Sequence, residues 1–117
     1  MSAPLTYLAP QAFDRAFDRL SDAQSAHTDA LNALAEARCT LEHKRSELLA
    51  KGIDGKNAEA RDATLRLKLF DEHTELLGLE VTLNEAKRDL EAARLTWDCL
   101  RYKLRLLEVQ RVLEGAA

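Results

Sequence analysis

The sequence predicts an all-α chain folded as a long antiparallel two-helix hairpin. The second helix is expected to be longer than the first, and the hairpin to self-associate into a dimer or four-helix assembly. Three observations predict this. First, Ala, Leu, Arg and Glu dominate the 117 residues, against four Gly and two Pro, and both prolines, Pro4 and Pro10, lie in the first ten residues. Helix formers in bulk with confined breakers favour helix throughout. Second, one cluster of turn residues, KGIDGKN over Lys51–Asn57, interrupts the chain. Third, on both sides of that cluster apolar residues recur at alternating steps of three and four, the spacing of a coiled-coil seam.

The elements follow in order. Residues 1–9 form an N-terminal arm whose Leu5, Tyr7 and Leu8 could fold back on the far end of the second helix. Pro10 suits the first turn of a helix, which runs over residues 10–51. Within it Phe13, Leu20, His27, Leu34, Leu41 and Leu48 recur every seven residues, and Ala16, Ala23, Ala30 and Ala37 lie three residues after the first four. Phe17 and Leu31 widen this face. Alternating Leu and Ala lets two helix axes approach closely. Residues 52–56 are the turn. Gly52 can take the left-handed conformation that ends a helix, with Ile53 folding back onto Leu48. Gly55 belongs to the Asp-Gly step of the same turn.

Asn57 caps the second helix, over residues 57–114, and Glu59 suits its positive end. Its seam reads Leu65, Leu69, Glu72, Leu76, Leu79, Leu83, Ala86, Leu90, Ala93, Trp97, Leu100, Leu104 and Leu107. Glu72 is the polar member. Gly115 closes the helix, and Gly78 is the only glycine inside it. Four-residue pairs such as Asp62–Arg66, Lys68–Glu72 and Arg94–Asp98 would add a few tenths of a kcal/mol each. A short turn between two such helices makes them antiparallel neighbours.

The stretch GKNAEARDATL, Gly55–Leu65, resembles a turn-plus-helix segment of small coiled-coil proteins of tailed phages and prophages. There a Gly-Lys-Asn step opens the second helix and an Arg follows, here Gly55, Lys56, Asn57 and Arg61. The resemblance implies an accessory protein of phage origin, used in DNA metabolism or particle assembly. It carries no catalytic residue.

At 1.5 Å per residue the two helices are roughly 60 Å and 85 Å long. Folding about the turn brings Gln11 opposite the mid-nineties, so the end of helix 2 is left without a partner. That end is apolar, with Trp97, Leu100, Tyr102, Leu104, Leu107, Val109 and Val112 as candidate interface residues. An exposed apolar surface of this size predicts association, by closed symmetry between copies or with another protein. The competing expectation is a bend at Gly78 that packs helix 2 back on itself.

The same end carries Arg94, Arg101, Lys103, Arg105 and Arg111 beside Trp97 and Tyr102. This mildly basic helix makes an accessory nucleic-acid-binding factor, in phage recombination or replication, the alternative function. Overall charge does not favour nucleic acid or anionic membrane: 17 basic and 20 acidic residues give a net charge of −3.

Nothing in the sequence predicts catalysis or a bound cofactor. Phosphate-loop and nucleophile-elbow motifs are missing. His27, His43 and His73 fit no HExxH or Glu-x-x-His pattern. His27 falls on the seam, where a polar residue fixes register, with Asn84 as its expected neighbour. His43 and His73, beside Glu42 and Glu72, are expected to be solvated and to hold no metal. Cys39 and Cys99 are too few and too far apart in a hairpin for a disulfide framework. With no signal peptide or transmembrane run, the chain is expected in the cytoplasm. The function these features predict is non-enzymatic scaffolding, through self-association and a protein partner.

Overall fold

A computed structural model describes residues 8–116. The part of the N-terminal arm that carries Leu5 and Tyr7 lies outside them. The described residues form three helices, α1 (Pro10–Lys51), α2 (Ala58–Lys68) and α3 (Phe70–Ala116), and contain no strand.

The limits of α1 coincide with those predicted. Gly52 takes φ 89°, and its N–H donates to Leu49 O at 3.2 Å, closing the helix end. The second helix differs from expectation: it is divided at Leu69, whose φ −105° and ψ 19° lie outside the helical region. The division is slight, since Leu69 N still donates to Leu65 O and His73 N to Leu69 O. No Gly or Pro marks the place, while Gly78 sits inside uninterrupted α3. Leu65 and Leu69 on either side of the last α2 turn are both buried.

The turn into α2 is built from the Gly55–Leu65 stretch. Asn57 Oδ1 accepts from Ala60 N at 2.9 Å, and Asn57 O accepts from Arg61 N at 3.1 Å and from Arg61 Nε at 3.3 Å. Gly55 lies so close to the first turn that a Cβ there would meet Arg61 N at 2.8 Å. The Thr64 hydroxyl donates to Ala60 O at 3.0 Å, with Asp54 O also within 3.3 Å. The Gly55–Arg61 residues thus have a local folding role: Gly55 permits the close approach, Asn57 caps, and Arg61 ties the cap down.

The chain divides into two compact units, Met1–Ala26 with Lys87–Ala117, and His27–Ala86. In the second, Ala30, Leu34 and Leu41 of α1 are buried together with Leu65, Leu69 and Ala86. Pairs between its segments run in opposite order: Arg38 with Glu80 at 3.8 Å, then Lys44 with Glu72 at 2.8 Å. Lys44 and Glu72 occupy seam positions, three residues after Leu41 and Leu69. The two side chains meet between the segments while staying partly open to solvent. The hydrogen bond to Glu72 raises the Lys44 pKa, and the same bond to Lys44 lowers that of Glu72. Glu72 of α3 therefore pairs with Lys44 of α1 rather than with Lys68 of α2. His27 is half-buried and Asn84 exposed, and among the described residues no hydrogen bond joins them. His43 pairs with Glu47 of the next turn at 2.9 Å.

In the terminal unit, Ala16 of α1 is buried with Leu90, Ala93 and Leu107 of α3, and Ala93 is fully inaccessible. Arg19 Nη1 donates to Thr96 Oγ1 at 3.1 Å and Arg94 Nη2 to Gln24 Oε1 at 3.5 Å, again in opposite order along the two segments. Among the described residues, every seam position named from the sequence is buried or half-buried except Leu104, while Phe17 and Leu31, expected to widen the α1 face, are exposed.

Candidate protein-binding surface

Helix α3 is apolar on more than one face. The face carrying Ala93, Trp97, Leu100, Leu104 and Leu107 belongs to the seam. Trp97 meets Phe13 edge-on, with ring centroids 6.2 Å apart and planes at 89°, and meets Phe17 at 6.1 Å and 63°. Edge-to-face geometry sets the positive ring edge against a negative ring face. Leu100 is half-buried and Leu107 buried. Leu8, Pro10 and Phe13 share an apolar notch of about 300 Å³ with Leu104 and Leu107, bordered by Glu108 and Arg111.

The bare end of α3 is therefore narrower than expected. Pro10 and Phe13 of α1 already line the notch with Leu104 and Leu107. The Arg19–Thr96 and Arg38–Glu80 pairs set α1 against later residues than a count folded at the turn gives. Leu8, which precedes α1, adds to the cover. Trp97, Leu100 and Leu107 are covered within the chain, and Leu104 remains 41% exposed.

The other apolar side chains stay uncovered. Leu95, Tyr102, Leu106, Val109 and Leu113 are all at least half-exposed, Tyr102 at 72%, and Cys99 is exposed and free. Their steps are four, three, four, three and four, a second heptad-spaced stripe on the side away from the seam. Val112, 71% exposed, borders it. Of the candidate interface residues, Tyr102, Val109 and Val112 are thus open to solvent. The sequence reading missed Leu95 and the stripe as a unit. Its spacing was the available signal, masked because the seam claims the same helix at the same period. A shorter exposed set, Leu67, Phe70, Leu77 and Val81, lies in the His27–Ala86 unit.

The basic residues do not assemble into a track. At 100° per residue Arg94, Arg101 and Arg105 share a face, while Lys103 lies opposite and Arg111 to the side. Asp98 and Glu108 fall on the arginine face. Asp98 lies 3.9 Å from Arg101, not beside Arg94, which reaches Gln24 instead. Asp98, Arg101, Tyr102 and Arg105 line one shallow surface notch.

Among the described residues no group of three or more His, Cys, Asp or Glu converges to hold a metal. No described helix is long and apolar enough to cross a membrane. His73 lines a mixed-charge recess with Glu42, Arg45, Asp62 and Arg66. No protein-family model, curated protein or solved structure matches the chain.

Proposed function

We propose that this chain is a non-enzymatic interaction protein, an antiparallel coiled-coil hairpin that self-associates and binds helices of partner proteins through the end of α3. The single observation that carries the reading is the exposed, heptad-spaced apolar stripe from Leu95 to Leu113. Side chains of this size on a soluble helix at coiled-coil spacing are suited to another helix. The hairpin itself is supported by the Leu/Ala seams and by contact pairs that run in opposite order within each unit. Among the described residues, the recesses are shallow surface notches with scattered polar side chains and offer a substrate no enclosed site. Two free cysteines accord with a reducing cytoplasm. The Gly55–Arg61 resemblance adds the reading of a phage accessory protein.

Light scattering on the purified chain tests this: a dimer or tetramer at micromolar concentration is expected, and a monomer throughout that range overturns self-association. A second reading, contact with a nucleic-acid backbone, is favoured by Arg101, Tyr102 and Arg105 lining one notch. Asp98 in the same notch weighs against it. Retention on DNA at low salt that falls steeply with added salt would support this reading, and no retention would remove it.

A further inference from the structure

We propose that the outer stripe of α3 pairs with the same stripe of a second copy, the two α3 ends running parallel about a two-fold axis. The inference rests on the reading of this end as a helix-binding surface and names its occupant and orientation. The stripe covers 19 positions, about 27 Å of helix, and lies on the side of α3 away from Phe13 and Ala16. A second helix can therefore seat without displacing α1.

Orientation follows from the charges beside the stripe. With Cys99, Leu106 and Leu113 as one set of core positions and Leu95, Tyr102 and Val109 as the other, the flanking residues are Glu91, Asp98, Arg105 and Val112 on one side. Thr96, Lys103 and Gln110 flank the other. In a parallel pair each residue of the first side faces the residue five places later on the partner helix. Asp98 then meets Lys103 of the second copy, twice by symmetry, while Glu91 meets Thr96 and Arg105 meets Gln110. No like charges oppose.

The antiparallel arrangement that superposes the stripes centres on Leu104. It sets Lys103 against Lys103 and Arg105 against Arg105, with Asp98 facing Val112. Like charges in register disfavour a pairing. The apolar residues fit either orientation, and the charges choose the parallel one.

Parallel pairing brings the two Cys99 side chains together across the axis, within the roughly 7 Å between Cα atoms that a disulfide spans. The test uses the full chain carrying C39S, so that Cys99 is its only thiol. Oxidised glutathione is the electron acceptor, and loss of two protons and two electrons joins the two sulfurs. The expected product is a covalent dimer linked Cys99 to Cys99.

Independently, D98K should weaken association about two- to tenfold, and D98K/K103D should restore it. Both residues are exposed, so helical content by circular dichroism should stay unchanged. Two results overturn the parallel pair while leaving the helix-binding reading intact. One is a multimer by light scattering without the Cys99 link. The other is a C39S/V109C chain that links Cys99 to the introduced thiol of the second copy. A monomer at micromolar concentration removes both.

Discussion

The turn and the far end of α3 differ in how far their own chain finishes them: the turn's residues are satisfied locally, while one side of the α3 end is left open. At the turn, Gly52, Gly55, Asn57, Arg61 and Thr64 each have a partner or a steric reason within a few residues. From Leu95 to Leu113 the seam side is met by Phe13, Phe17, Pro10 and Leu8. The outer side of the same turns meets nothing among the described residues. Folding accounts for the first set of residues and leaves the second unexplained, so the second is where binding is sought.

The sharpest way to break this comparison is to place one charge on each face. Leu34 is 4% exposed. Leu34→Asp should cost about 3–5 kcal/mol, because an unpaired carboxylate is buried, and thermal melting should show the chain largely unfolded. Leu106→Asp, on the outer stripe, should change monomer stability by less than roughly 0.5 kcal/mol and act on association instead. Equal losses of helix would erase the distinction between the faces.

Next in size is Gly55→Ala, whose Cβ would press on a backbone nitrogen that has no room to yield. A loss of about 1–3 kcal/mol is expected in denaturant titration, with association retained. Asn57→Ala removes the cap and should cost about 1 kcal/mol by the same titration.

The smallest effect belongs to Lys44 and Glu72. The depressed Glu72 pKa means its contribution is present above the ordinary carboxylate value and is lost as pH falls through the folded value. The raised Lys44 pKa means its contribution is present below the ordinary lysine value and is lost as pH rises through the folded one. Melting curves should therefore be insensitive to this pair near neutrality and lose its contribution at both extremes. Glu72→Gln should flatten the acid limb.

Much of this molecule was legible in one dimension because its signals are local or periodic. Pro10 and Gly52 marked both ends of α1, and the three-four spacing named the buried seam. The division at Leu69 was not legible. No breaker stands there, and its two crossing hydrogen bonds keep the chain nearly helical. The fold-back of Leu8 was legible, but the register of α1 against α3 was not: Pro10 and Phe13, both helical, line a notch with Leu104 and Leu107, where a count folded at the turn puts Gln11 opposite the mid-nineties. The outer stripe was hidden for a different reason: Leu95, Cys99, Tyr102, Leu106, Val109 and Leu113 share the period of the seam. Only the side chains already taken by α1 separate the two faces.

That separation can be measured in one pair of samples. Sedimentation equilibrium of the native chain and of Tyr102→Glu/Leu106→Glu, with circular dichroism on both, should give a native multimer and a variant monomer of equal helicity. A variant that still assembles, or one that loses its helices along with its assembly, would contradict the assignment of binding to the outer face of α3.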